Sequence, residues 1–256
     1  MAISRGHLGV AKAIFVVCIA LLVNAVKCNP HGGSRRGSVV EIGGLKSYVS
    51  GPSHSRYAVV LASDVFGYEV PNLRKIADKV GAAGYYAVVP DFFNGDPFNS
   101  SIKGFNEWKA QHPPAKAFKA SISVIKALRR KGISAIAAAG FCYGAHASVE
   151  LAKTKLIQAV VFLHPTDIVE DDFKYVKVPV EILGGENDVL VPPTVIKKYE
   201  EILSSRPEIP SFVKIFPRVE HGWTTRYNST TEKAAEEAHR DLLNWVNKYI
   251  KHKKKA

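Results

Sequence analysis

Three residues of this chain carry chemistry in places where a fold can bring them together: Cys142, Asp188 and His221. Cys142 lies in Gly140-Phe141-Cys142-Tyr143-Gly144, where the apolar run Ala135 to Phe141 passes into a helix-like segment starting near Ala145. The two glycines permit a tight strand-to-helix turn, the spacing of an elbow that lifts its central side chain above a sheet edge. A thiol placed there meets a helix N-terminus, whose dipole and free N–H groups favour thiolate, and the N–H of Tyr143 points at the oxygen on which charge would develop. The pentapeptide alone describes an inert buried cysteine equally well.

Two downstream loops change that balance. Gly184-Gly185-Glu186-Asn187-Asp188 follows one apolar run, and Val219-Glu220-His221-Gly222-Trp223 follows the next. Asp188 would orient the imidazole and stabilise its charged form, while His221 would keep Cys142 deprotonated and shuttle a proton. Singly, Asp188 reads as a helix cap before Pro192-Pro193 and His221 as an ordinary loop histidine; Glu186 is the competing carboxylate. The order nucleophile, acid, histidine is that of the α/β-hydrolase group.

These residues need a scaffold, and the chain alternates short apolar runs with amphipathic segments. Strands are predicted at Val39 to Ile42, Lys46 to Val49, Tyr57 to Ala62, Tyr86 to Val89, Ala135 to Phe141, Ala159 to Leu163, Val180 to Leu183 and Val213 to Phe216. Helices are predicted at Pro71 to Ala83, Ala115 to Arg130, Ala145 to Thr154, Pro193 to Leu203 and Thr231 to Ile250. Near-continuous apolar strands such as Ala58-Val59-Val60-Leu61-Ala62 imply a sheet buried on both faces, hence a doubly wound, mostly parallel α/β fold. Function then gathers at the carboxyl ends of the strands, where Cys142, Asp188 and His221 stand. No internal repeat or linker interrupts residues 39–250, which read as one domain.

The 256 residues are 46% hydrophobic, enough for a sizeable core, and carry a formal charge of +12. Residues 1–25 read as a secretory signal peptide: Arg5 and Lys12 precede the apolar run Ala13 to Val23, which is shorter than a membrane span needs. The expected product is a secreted protein with no stable membrane insertion, a flexible leader over residues 26–38 and a basic tail over residues 251–256. Five cations, Lys248, Lys251, Lys253, Lys254 and Lys255, crowd the terminal stretch, and no basic stripe interleaved with aromatics argues for nucleic acid. Cys28 and Cys142, the cysteines beyond the signal, are expected as free thiols. Asn99-Ser100-Ser101 and Asn228-Ser229-Thr230 are acceptor sequons for glycosylation, although Ser229 with Glu232 also reads as a helix capping box. His112, His146 and His164 have no second ligand at metal spacing, and no phosphate loop or dinucleotide fingerprint is present, so neither metal nor other cofactor is expected.

Ser63-Asp64-Val65-Phe66-Gly67, Val89-Pro90-Asp91-Phe92, the Cys142 elbow, Gly184 to Pro193 and His221 to Tyr227, taken in order, resemble the dienelactone hydrolase family in its plant-type branch, from about Val39 to Ile250. The resemblance implies a Cys142–His221–Asp188 triad, a cofactor-free ester or lactone hydrolase, and the Val65 N–H as a second oxyanion donor beside that of Tyr143. Asp64 matches a carboxylate that regulates the thiol and is usually glutamate; being one methylene shorter, it serves either that role or that of a strand-end turn residue. Arg226 resembles an arginine that binds a substrate carboxylate, or is an exposed loop residue. Phe66, Trp223 and Tyr143 either wall the substrate pocket or belong to the core. Some plant-type relatives carry a β-glucan hydrolase label, a chemistry requiring two carboxyls across a glycosidic bond. A non-catalytic small-molecule-binding protein on the same scaffold is the remaining alternative.

Overall fold

The computed structural model describes residues 37–251. The expected signal peptide, all of the leader but its last two residues, Cys28 and all of the basic tail but Lys251 lie outside the described residues. Eight strands form one sheet: β1 (Ser38–Ile42), β2 (Leu45–Ser50), β3 (Tyr57–Ala62), β4 (Tyr86–Pro90), β5 (Ala135–Phe141), β6 (Ala159–Leu163), β7 (Val180–Gly185) and β8 (Ser211–Phe216). Their spatial order is β1-β2-β4-β3-β5-β6-β7-β8. β1, β2 and β4 pair antiparallel, whereas the six strands from β4 through β8 run parallel.

Two-residue periodicity sends alternate side chains to opposite faces. Ala58, Val60, Ile136 and Ala138 join one core, and Val59, Leu61, Ala137 and Ala139 join the other. The first face is covered by α3 (Pro114–Arg130), α4 (Gly144–Ala152) and α5 (Pro193–Ser204); the second by α1 (Pro71–Ala82) and α6 (Glu232–Val246). The helices of the second face lend i, i+3, i+4 stripes: Leu73, Ile76, Ala77 and Val80 on α1, and Ala235, Ala238, Leu242 and Val246 on α6. Proline at the first helical position of α1, α3 and α5 presets the entry, where no backbone N–H is needed.

Two sequence expectations require correction, and one short helix was not expected at all. The short helix α2 (Phe105–Gln111) buries only Phe105 and Trp108, one i, i+3 pair, too few apolar positions to reveal a period. The terminal helix ends at Val246, and Asn247–Lys251 winds into a wider π turn. Ser229 and Glu232 form no capping box: the Asn228 side-chain oxygen accepts the Thr230 and Thr231 N–H groups at 2.9 and 3.2 Å, and no side chain caps the helix at Thr231. The sequon asparagines Asn99 and Asn228 are both exposed. No helix of the described residues is long and apolar enough to cross a membrane.

Strand order reverses between β3 and β5, since the chain places β4 on one side of β3 and β5 on the other. In open α/β sheets, ligands bind outside the carboxyl ends of the strands at such a switch point. Cys142 follows β5 there, and Asp64 follows β3.

One buried charge site on β7 bears on stability. Glu181 is 2% exposed, with its Oε2 unpartnered. Burial, with Asp241 nearby, pushes its carboxyl up to about 8 against the opposing pull of Lys214. Because an unfolded glutamate ionises near 4.5, the unfolded chain loses its proton first, so stability falls as pH rises from there to about 8. Glu181→Gln removes that slope; chemical denaturation at pH 8 should find the variant more stable by on the order of 4 kcal/mol, and parallel pH profiles for the two proteins would refute the assignment.

Candidate active site

Cys142 stands at φ 50°, a left-handed conformation that a side chain rarely adopts. The surrounding backbone holds it there. Its N–H donates to the Leu163 carbonyl at 3.1 Å, and its carbonyl accepts from Ala145 at 3.0 Å and Thr166 at 3.1 Å. The flanking glycines answer to space: a Cβ on Gly144 would collide with the Ala62 carbonyl of β3, and one on Gly140 would lie 2.7 Å from the Ala145 Cα. The elbow thus packs against the strand across the switch point, and the sulfur sits at the N-terminus of α4.

β7 and β8 deliver the other two residues. His221 donates Nδ1–H to Asp188 Oδ2 at 2.8 Å, both side chains being buried. Asp188 Oδ1 accepts from the Leu190 and Val191 N–H groups at 2.9 and 3.0 Å, so one carboxylate both closes its turn and orients the imidazole. Glu186 points away, accepting the Arg218 N–H at 2.8 Å in an exposed turn. Burial disfavours the charged ring of His221, but the Cys142 sulfur and the Asp188 carboxylate outweigh it and push the imidazole up to about 9. Nε2 itself closes no hydrogen bond of ordinary geometry, although the sulfur lies within its electrostatic reach.

The N–H groups of Val65 and Tyr143 have no acceptor among the described residues. Both residues are buried and join Cys142 in an aromatic cluster with Phe93, Phe98, Phe105 and Trp108, the last two from α2. The Tyr143 hydroxyl donates to the His112 carbonyl, fixing the elbow against this wall. Phe66 is half-buried beneath the Arg226 guanidinium, 4.8 Å from its ring centre. Trp223 lies elsewhere: it packs on Phe216 at 4.5 Å in the core beneath α6.

Asp64 and Arg226 bind each other. Arg226 donates to Asp64 Oδ2 at 2.6 Å, with Thr225 Oγ1 donating to the same oxygen at 3.1 Å and the Phe66 N–H to Oδ1 at 3.0 Å. Asp64 therefore closes the strand-end turn, makes no hydrogen bond to Cys142 among the described residues, and leaves Arg226 only 9% exposed rather than free in a loop. Gly222, at φ 84°, makes this reach possible, because a Cβ there would overlap the guanidinium. Sequence reasoning missed Thr166, whose Oγ1 is 3.6 Å from the Cys142 sulfur, and the role of His164, whose ring stands edge-on to His221 at 5.0 Å and whose Nε2 meets Thr224 Oγ1 at 2.7 Å. Both follow β6, the remaining strand end beside the elbow, which was the signal available.

The buried ion pair has a measurable weight. Arg226→Met leaves the Asp64 carboxylate without its counter-charge, which typically costs about 3 kcal/mol or more. Thermal and denaturant unfolding should register that loss; an unchanged midpoint would mean that water reaches Asp64.

Comparison with known proteins converges on one family. A model described as "Dienelactone hydrolase family" matches residues 45–250. An "Endo-1,3;1,4-beta-D-glucanase" of Zea mays is 48% identical over 168 residues, 66% of this chain but only 55% of that protein, so the chain spans about half its length. A "Carboxymethylenebutenolidase homolog" of Xenopus tropicalis is 32% identical over 226 residues, covering 84% of this chain and 92% of that one. Among solved structures, a putative dienelactone hydrolase from Klebsiella pneumoniae superposes with a TM-score of 0.68 at 19% identity, over 80% of this chain and 93% of that one, which shows the shared α/β-hydrolase fold. With its family signature running from β2 to the last turn after α6, the chain belongs to the dienelactone hydrolase family.

Proposed function

We propose that the protein hydrolyses a carboxylic ester or lactone through an acyl-thioester on Cys142. The carrying observation is the left-handed elbow that sets this thiol beside a buried His221–Asp188 pair joined at 2.8 Å. In the first half of the cycle the Cys142 thiolate attacks the carbonyl carbon, and the unpaired N–H groups of Val65 and Tyr143 receive the oxyanion. The carbon–oxygen bond breaks, His221 protonates the departing alkoxide, and the acyl group stays on sulfur. Water then gives a proton to His221 as its oxygen attacks the thioester; collapse releases the acid and restores the thiolate. Asp188 keeps the imidazole in the tautomer that presents Nε2 to the sulfur. Thiolate is a good leaving group, which suits activated esters and enol-lactones better than amides. Dispensing with a metal or organic cofactor in this cycle is part of the proposal.

A second reading rests on the maize relative, whose name is that of a glucanase. Glycoside cleavage by the usual route uses two carboxyls on either side of the bond. Asp64, Asp188 and Asp167, the carboxylates placed around the elbow, are engaged with Arg226, His221 and Lys109, so the ester reading is preferred. Side-by-side assays of p-nitrophenyl esters and mixed-linkage glucan separate the two. Cys142→Ala should lower ester turnover by at least about a thousandfold, and iodoacetamide should do the same to the parent protein. Ester turnover surviving in the variant would sink the nucleophile assignment, and glucan cleavage persisting there would favour the second reading.

His221 also makes the cycle pH-dependent in a defined direction. With its pKa pushed up to about 9, the ring is an imidazolium at neutral pH and loses its proton as pH rises through that value. Alkyl esters, whose alkoxide needs that proton, should be acylated more slowly above about pH 9, whereas p-nitrophenyl esters, whose phenolate leaves unaided, should show no such decline. Identical alkaline limbs for both substrate classes would rule out His221 as the acid.

A further inference from the structure

The sulfur of Cys142 has a hydrogen-bonding neighbour that the cycle above does not use. Thr166, in the loop after β6, places Oγ1 3.6 Å from the sulfur while its N–H donates to the Cys142 carbonyl at 3.1 Å, so this loop is pinned to the elbow through both backbone and side chain. The same Oγ1 lies 3.3 Å from Oδ2 of Asp167. The other Asp167 oxygen is held by Lys109, which reaches over from α2, and Lys109 also lies above the Tyr143 ring, 5.8 Å from its centre. Asp167 is fixed at φ 56°, with its carbonyl bonded to His146 Nδ1 at 2.9 Å. A contact chain therefore runs from sulfur to hydroxyl to carboxylate to a half-exposed ammonium.

A threonine hydroxyl carries one proton. It can donate to the sulfur or to Asp167, not to both. We propose that Thr166 donates to the Cys142 sulfur and favours its thiolate, and that the Lys109–Asp167 pair sets how much of that proton the sulfur receives. Lys109 weakens Asp167 as a rival acceptor and cancels its repulsion of a nearby thiolate; removing Lys109 reverses both effects, and removing the Asp167 charge leaves the sulfur as the preferred acceptor. The other titratable groups around the elbow are otherwise engaged. His221 from the loop after β8 is bonded to Asp188 from the loop after β7, and Asp64 after β3 is bonded to Arg226. Burial, together with His221 and Arg226, holds His164 well below its ordinary value and therefore neutral, while burial pushes the Tyr143 phenol up and keeps it neutral as well. His146 is turned to the Asp167 carbonyl.

This inference rests on Cys142 being the nucleophile, but its test requires no substrate. The rate of iodoacetamide alkylation of Cys142, followed by mass spectrometry from about pH 4 to about pH 10, reports the thiolate directly. On the acid limb Thr166→Val should react about tenfold more slowly than the parent protein, Thr166→Ser should match the parent, Lys109→Met should be slower and Asp167→Asn faster, with all plateaus at high pH agreeing within about twofold. Equal slowing of Thr166→Val at every pH would mean a packing effect and overturn the proposal. An acid limb unchanged in Thr166→Val, or Lys109→Met and Asp167→Asn moving in the same direction, would overturn it too; these two variants decide the matter if the valine variant does not fold. The Cys142→Ala ester assay fails or succeeds separately, so loss of one conclusion is not mistaken for loss of the other.

Discussion

Close approach of the α4 N-terminus to the end of β3 is the constraint on which the rest of the site depends. Gly144 touches the Ala62 carbonyl so closely that no side chain fits between them, and this contact forces the turn that leaves Cys142 in a left-handed conformation. Such a backbone costs about 1–3 kcal/mol and persists only where its surroundings over-determine it. Here the Leu163, Ala145 and Thr166 backbone groups do so from three directions. The parallel pairing of β3 with β5, ending at Ala62 opposite Gly140, sets the height at which the two meet.

Charge at this sheet edge is buried, and each buried charge is answered. Asp188 accepts from two backbone N–H groups as well as from His221, and Asp64 accepts from a backbone N–H, a hydroxyl and a guanidinium. A carboxylate out of water is tolerable only with such company. The same requirement explains the sequence after His221: Gly222 makes room, Thr225 donates a hydroxyl and Arg226 folds back over Phe66. Segments separated by more than a hundred residues, after β3 and after β8, are thereby tied into one wall.

Much of this was legible because burial on two faces imposes its own pattern. The runs Tyr57–Ala62 and Ala159–Leu163 are apolar throughout and bounded by polar residues, Ala135–Phe141 begins after Ser134 and ends at the elbow, and the strands begin and end at these points. The edge strand β8 was legible only in its buried half, because Ser211 and Phe212 face solvent. Helix α2 lacked a readable period, and with it went the position of Lys109. Cys142, Asp188 and His221 each follow a strand and could be picked out by that placement, whereas Thr166 and the Asp64–Arg226 pair depend on loop paths that no local pattern encodes. Asp64 illustrates the limit: its position beside the elbow could be read, but its partner lay 162 residues away.

The sheet order has a consequence in time. Cys142 is made with β5, but the imidazole that faces it arrives only after β8, the outermost strand, has docked on β7. Between those events lie two parallel pairings, one reached through α4 and the other through the long connection from Leu163 to Val180, and non-local pairings of this kind are among the slower steps of chain assembly. A nascent chain thus builds its cysteine elbow before the segment after β8 is in place, and the candidate site is complete only when the sheet is.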